Sequence, residues 1–163
     1  MGVETDDFFN RSVRAVLDSD ENILVSGIDP NIDNYRLIRL LSNGQIDNSF
    51  TEGVVEFNNS LAFVFDPIIR VRNNGEIFYS SNHSSYADHF SQRLSKLDAN
   101  GNIMTDFNAD IAGKVNVTTA KELSDGSILL GGIFTSIDNT PANFIAKISS
   151  DGTLDTQFME NIG

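Results

Sequence analysis

The sequence predicts an all-β protein made of three similar antiparallel units, and three observations carry this prediction. First, one phrase occurs three times, as LSNGQIDNSF at 41–50, DANGNIMTDF at 98–107 and SSDGTLDTQF at 149–158. Second, apolar and polar residues around each phrase alternate with the period of a strand. Third, no stretch sustains the 3.6-residue periodicity of a helix.

Each copy of the phrase contains a turn glycine followed six residues later by a phenylalanine. The pairs are Gly44 and Phe50, Gly101 and Phe107, and Gly152 and Phe158. Because the aromatic recurs once per unit, we expect it to pack one unit on the next. An acid precedes it at Asp47 and Asp155, where a carboxylate just after a turn can accept backbone N–H groups. This recurrence favours a structural role over the paired carboxylates of a glycoside hydrolase.

A strand precedes each turn glycine, and it carries an aliphatic residue four positions before the glycine. These residues are Leu40, Leu97 and Ile148. A cation occupies the opposite parity immediately before each of them, at Arg39, Lys96 and Lys147. The alternation predicts a strand with one face turned to water.

Two further strands complete each unit. One is predicted in ENILVSG at 21–27, GEIFYSS at 75–81 and GSILLGG at 126–132, and an earlier one over 13–17, 68–71 and 115–123. Turn clusters such as RNNGE and SDGS join the two. Each unit therefore reads strand, tight turn, strand, longer loop, strand, tight turn, short strand. The chain is predicted to be one repeat domain over 1–163, with units at approximately 12–66, 67–113 and 114–163 and an N-terminal partial unit at 1–11.

These phrases resemble the delta-60 repeat, a β-propeller-type family of bacterial and phage proteins. The third unit is the most similar, with DGSILLGGIF followed by IAKISSDGTLDTQF. The first unit has SDEN in place of the turn glycine, and the second has IMTDF near its end. The resemblance implies three propeller-type blades of antiparallel strands, and it supplies no catalytic residues.

Three blades cannot close a ring by themselves, so two apolar faces are predicted to stay open. A two-fold pair of chains would form a closed ring of six blades, which lies in the usual range. The other possibilities are a piece of a longer propeller, a different partner chain, or an unclosed stack. The segment TDDFFN at 5–10 would be either a clasp on the neighbouring chain or a frayed terminus.

Composition excludes several classes of function. The formal net charge is −12, from 23 acidic and 11 basic residues, and such a field repels nucleic acid. The absence of cysteine excludes disulfides, thiolate metal sites and cysteine catalysis. The most apolar run, 61–69, is too short and too interrupted to span a membrane. No cofactor is predicted.

Candidate binding residues lie in the loops at 29–35, 82–92 and 135–143, which we expect to share one rim. They are Tyr35, His83, Tyr86, His89 and Phe90. An aromatic, amide-rich rim would suit a glycan or a protein partner, whereas the alternative is a merely solvated rim. We interpret His83 and His89 as exposed loop residues rather than a metal site. The run Asp18, Asp20 and Asn22 is interpreted as a hairpin turn rather than a calcium loop, so no metal is predicted.

The sequence thus favours a non-catalytic structural or binding module, in a phage particle or on a bacterial surface, with self-association or another protein as partner. The alternatives are a carbohydrate-active enzyme and a fragment of a larger secreted propeller. A cleft holding two carboxylates within about 10 Å would favour the enzyme.

Overall fold

A computed structural model describes residues 11–29, 34–51, 68–84, 90–107, 109–113 and 116–162 of the chain. These ranges contain twelve strands and one short helix. The strands are β1 (Arg11–Leu17), β2 (Ile23–Asp29), β3 (Asn34–Leu40), β4 (Ile68–Val71), β5 (Ile77–Ser84), β6 (Phe90–Leu97), β7 (Ala109–Gly113), β8 (Asn116–Glu122), β9 (Ile128–Ile133), β10 (Ser136–Ile137), β11 (Thr140–Pro141) and β12 (Ile145–Ile148), and the helix is α1 (Thr156–Ile162).

The strands form three antiparallel sheets, one for each repeat, which we call the first, second and third blades. Their strand orders are β1-β2-β3, β4-β5-β6-β7-β10-β11 and β8-β9-β12, so the second sheet also includes two short strands from the third repeat. The first strands of successive blades contact each other, β1 with β4 and β4 with β8. The blades therefore stand side by side around a shared edge, and the predicted all-β class with three antiparallel blades is confirmed.

Left-handed turn residues explain why the hairpins close where the sequence predicts. The hairpins that join the first and second strands have Gly75 at φ 83° and Gly126 at φ 80°. Glycine adopts this conformation without a Cβ clash. In the first blade Glu21 occupies the same position at φ 61°, a conformation that costs an L-residue free energy. The missing turn glycine in SDEN has therefore not changed the hairpin.

The second tight turn of each blade has a glycine with a φ of 84°, 87° or 96°, at Gly44, Gly101 and Gly152 respectively. After it, the chain makes only a single-residue bridge to the preceding strand. The bridges are Leu40 to Ile46, Leu97 to Ile103 and Ile148 to Leu154. The short fourth strand predicted at this point is therefore wrong, since the chain turns away after one pairing.

The apolar core lies between blades. One cluster joins the first blade (Leu24, Leu37, Phe50) to the second (Ile69, Ile77, Tyr79, Leu97). A larger cluster joins the second blade (Ile68, Phe78, Leu94, Phe107, Ala109, Ile111) to the third (Val117, Ala120, Ile128, Leu130, Phe134, Ile137, Ala142, Ala146, Ile148). These two clusters lie between neighbouring blades, as in stacked repeats, and a third, Val25 with Ile38, lies within the first blade.

The loop at 135–143 differs from its prediction as a free rim loop. It forms the hairpin β10–β11, and β10 pairs with β7, so the third blade extends the sheet of the second. Asp138 and Asn139 turn the hairpin at φ 47° and 62°, as in a type I′ turn. The N–H of Asp138 donates to the carbonyl of Asp110 at 2.8 Å, and the N–H of Asp110 donates to Asp138 Oδ1 at 2.9 Å.

The sequence pattern does not predict two other elements. After Phe107 the chain forms β7, a fourth strand that pairs with β6. After Leu154 it forms α1, whose N-terminus is capped where Asp155 Oδ1 accepts the N–H of Phe158 at 2.9 Å. Seven helical residues are too few to establish a 3.6-residue period.

Candidate functional site

Phe50 of the first blade packs against the second tight turn of the next blade. Phe50 is 5% exposed. A Cβ added to Gly101 would lie 2.8 Å from Phe50 Cζ and 2.2 Å from the carbonyl oxygen of Thr51. The N–H of Thr51 donates to the carbonyl of Asn100 at 2.6 Å. The turn of the second blade is thus a socket that only glycine leaves open, and the packing role predicted for the aromatic is confirmed.

In the first two blades, the cation that precedes the turn lies over the aromatic ring that follows it. The guanidinium of Arg39 is 4.8 Å from the centre of the Phe50 ring, and the ammonium of Lys96 is 5.7 Å from that of Phe107. Lys96 is only 6% exposed. The prediction that the cations face water is therefore wrong for Arg39 and Lys96, because a neighbouring blade covers the strand face that carries each of them. Arg39 also donates to the carbonyl of Ala99 in the second blade at 2.8 Å, so it ties the two blades together.

Among the residues that the structure describes, no further blade covers the outer side of the third blade. We define its tail face by Leu129, Ile133, Ile145 and Phe158. Ile145 is 38% exposed and Ile133 is 52% exposed, and beside them Phe144 is 65% exposed. Leu129 and Phe158 are only partly buried. Apolar side chains therefore remain accessible on the outer strands of the third blade.

The repeated acids perform the structural work that was predicted for them. Asp47 Oδ1 accepts the N–H of Ser49 at 2.9 Å and its hydroxyl at 2.6 Å, while Arg39 Nε donates to Asp47 Oδ2 at 2.7 Å. The hydrogen bonds from Ser49, followed by that from Arg39, lower the pKa of Asp47 to about 2. Asp155 accepts the backbone N–H described above, which is the chief cause of its lowered pKa.

One cluster satisfies the distance criterion for an enzymatic pair of carboxylates. Lys147 Nζ lies 3.3 Å from Asp125 Oδ2 and 3.4 Å from Asp155 Oδ2. The two oxygens are therefore at most 6.7 Å apart, the two distances added. Hydrogen bonds from Ser127, and then Lys147, lower the pKa of Asp125 to about 2. A glycoside hydrolase needs a general acid with a raised pKa, and both of these carboxyl groups have lowered ones.

A polar cleft of about 770 Å³ lies between the second and third blades, along β4 and β8. Its charged side chains cross-link the two blades: Arg72 pairs with Glu76 and Glu122, and Arg70 Nε donates to the carbonyl of Ala120 at 3.1 Å. The hydrogen bond to Glu122 is the main cause of the raised pKa of Arg72. The cleft is thus a seam between blades whose two arginines already have partners.

The predicted rim residues are only partly described. The backbone of Tyr35, His83 and Phe90 lies in β3, β5 and β6 respectively. Tyr86 and His89 lie outside the described residues, as does the segment 5–10. The proposed rim site therefore stays a prediction.

The turn at Asp18 is a hairpin tip. Asp18 Oδ1 accepts the N–H groups of Asp20 and Asn22, each at 2.9 Å, and Asn22 Nδ2 donates to Asp18 Oδ2 at 3.1 Å. Within the ranges that the structure describes, no three histidine or acidic side chains form a metal-binding group. In the same ranges no helix has the length and apolar character needed to cross a bilayer.

Comparison with known families agrees with this architecture. The family described as "Domain of unknown function (DUF5122) beta-propeller" matches residues 19–50 in the first blade and 123–158 in the third. This match supports a propeller-type repeat architecture for the chain. No curated protein and no solved structure gives a significant match.

The sequence predicted the recurring phenylalanine and the turn glycine of the repeat. It did not predict the charged seam between the second and third blades. The signal for the seam is the alternation of Arg70 and Arg72 in IIRVR, which puts two cations on one face of a strand. The local sequence does not show which blade packs against that face or which acid pairs with the arginines, because both depend on how the blades stack.

Proposed function

We propose that the chain is a non-catalytic binding module that assembles with protein through its open blade faces. The observation that carries this proposal is the tail face, where Ile145 is exposed and Phe158 is only partly buried, whereas the residues at the same repeat positions in the first blade, Leu37 and Phe50, are buried. Burying such a face against protein is favourable by about 25 cal/mol per Å² of apolar surface. Within this proposal the repeat belongs to the delta-60 family, and the module serves in a phage particle or on a bacterial surface.

The carboxylate cluster at Lys147 leaves a carbohydrate-active enzyme as the second candidate. The distance between Asp125 and Asp155 is compatible with that chemistry, but their lowered pKa values argue against a general acid. The wild-type chain and an Asp125→Asn/Asp155→Asn variant should release equally little reducing sugar from a panel of polysaccharides. Release by the wild type alone would make the protein an enzyme and overturn the proposal.

A separate experiment tests whether the chain associates with protein through the tail face. It uses Phe144→Asp, a substitution beside the tail face, which we call the tail variant. The matched control is Ile103→Asp, which alters an exposed apolar residue on the second blade, 52% exposed against 65% for Phe144. We expect the wild type and the control to associate in sedimentation velocity, or else to bind the apolar dye 8-anilinonaphthalene-1-sulfonate, and the tail variant to lose that property. A wild-type chain that remains single and binds no dye would overturn the proposal.

A further inference from the structure

Three of the tight turns contain the same dipeptide, asparagine followed by glycine, at 43–44, 74–75 and 100–101. We propose that Asn43 is a site of covalent modification by water, at which the side-chain amide is lost and a carboxylate forms, and that the fold protects the same dipeptide in the other two turns. The inference is independent of the proposed function, because it concerns the reactivity of a single chain.

The reaction needs only the chain and water. The backbone nitrogen of Gly44 attacks Cγ of Asn43, the N–H proton passes to water, and the bond from Cγ to Nδ2 breaks as ammonia leaves. Water then adds to one carbonyl of the resulting five-membered succinimide. Opening at Cγ gives aspartate, and opening at the backbone carbonyl gives isoaspartate. Glycine favours the attack because it has no Cβ to hinder the approach of its nitrogen.

The turn at Asn43 is arranged for this attack. The N–H of Gln45 donates to Asn43 Oδ1 at 3.0 Å, which holds the side-chain carbonyl beside the following backbone. That N–H also points at the oxygen on which negative charge develops when nitrogen adds to Cγ. Asn43 and Gly44 are both exposed, and among the described residues no atom lies within 4 Å of the position a Gly44 Cβ would take. Water therefore reaches the reacting atoms.

The turn at Asn100 is locked by the first blade. The backbone carbonyl of Asn100 accepts the N–H of Thr51 at 2.6 Å, and Gly101 is buried beneath the ring of Phe50. Ring closure requires rotation about the bond from Cα to the carbonyl carbon of the asparagine, which would turn this carbonyl away from Thr51. The contact between the blades must therefore open before Asn100 reacts.

The turn at Asn74 is intermediate. The N–H of Glu76 donates to Asn74 Oδ1 at 3.1 Å, as in the exposed turn. Gly75, however, is only partly exposed, and its Cβ position lies 3.1 Å from Cβ of Ala99. In all three turns the glycine N–H donates to a backbone carbonyl at 2.8 to 3.0 Å, so this hydrogen bond does not set the order of reactivity.

The third blade shows that the turn accepts an aspartate product. Asp151 occupies the position that corresponds to Asn43, and its Oδ1 accepts the N–H of Thr153 at 3.0 Å. Aspartate at position 43 would keep the corresponding hydrogen bond and add one negative charge. Isoaspartate would instead insert an extra atom into the backbone and disturb the turn.

Peptide mapping measures the three rates in one chain. Trypsin releases the three dipeptides in different peptides, because Arg70 and Lys96 lie between them. The full chain carrying Phe144→Asp, which prevents association through the tail face from covering a turn, is incubated folded at mildly alkaline pH. The fraction of each peptide with the mass of the acid in place of the amide is followed by mass spectrometry, and Asn43→Gln identifies the signal from that position.

We expect the order Asn43, Asn74, Asn100 in the folded chain. Because the hydrogen bond between blades must break before Asn100 reacts, Asn43 should react roughly tenfold faster than Asn100. In urea the three dipeptides should react at similar rates, since the fold no longer distinguishes them.

Equal rates at Asn43 and Asn100 in the folded chain would overturn the inference. A difference of the same size in the urea-unfolded chain would also overturn it, because the neighbouring sequence and not the fold would then set the order. Each of these results leaves the proposed function standing, because none of them depends on a partner.

Discussion

Substituting alanine for glycine in the equivalent turns at Gly101 and Gly44 would test blade docking directly. Both glycines have a left-handed backbone, at φ 87° and 84°. An L-residue in this conformation costs about 1–2 kcal/mol, and that term is common to the two variants. Only at Gly101 would the new methyl group overlap another blade, 2.2 Å from the Thr51 oxygen and 2.8 Å from the Phe50 ring.

Relieving such an overlap requires the first blade to shift, for which overpacked cores suggest a further cost of about 1–3 kcal/mol. Gly101→Ala should therefore lower the free energy of unfolding by about 2–5 kcal/mol and Gly44→Ala by only about 1–2 kcal/mol. Urea unfolding in a Phe144→Asp background measures both without a contribution from association. Equal losses in the two variants would refute the idea that Gly101 is a socket between blades.

Three other predictions concern single side chains. Glu21→Gly should raise the free energy of unfolding by about 1 kcal/mol in urea titrations, since it removes left-handed strain, and a loss would contradict the turn geometry. Ser80→Ala should leave the free energy of unfolding unchanged or raise it, because the buried Ser80 Oγ has no partner among the described residues. Ser26→Ala should lower it by about 1 kcal/mol, because the substitution removes the 2.8 Å hydrogen bond to the hydroxyl of Tyr79. A larger loss for Ser80→Ala than for Ser26→Ala would contradict this account. The free energy of unfolding should be constant above about pH 4 and fall as the pH approaches about 2. The reason is that the pKa of the Asp47 carboxyl is lowered in the folded state, so the unfolded state binds the proton first as the pH falls. Urea midpoints that do not change over this range would contradict the prediction.

Local patterns were sufficient to predict the features that local physics determines. Three strands of each blade follow from the period-2 alternation, and the turns follow from glycines that can adopt a positive φ. Even Glu21 occupies the expected turn position, because the flanking strands pair in register and hold the turn between them.

Features that depend on a neighbouring blade could not be predicted in this way. Lys96 alternates like a surface residue, but the third blade covers its face. The β10–β11 hairpin has the composition of an ordinary polar loop. It forms strands because β10 pairs with the edge strand β7 of the adjacent blade. The tail face likewise has the same aliphatic pattern as the buried faces, so its exposure becomes evident only when the blades are stacked.

The mass of the native chain in solution tests most directly whether blade faces require a partner. Sedimentation equilibrium of the wild type at micromolar concentration should give twice the 17.9 kDa of one chain, and Phe144→Asp should reduce it to a single chain. A wild-type protein that stays at 17.9 kDa over the whole accessible concentration range would contradict ring closure by a second copy.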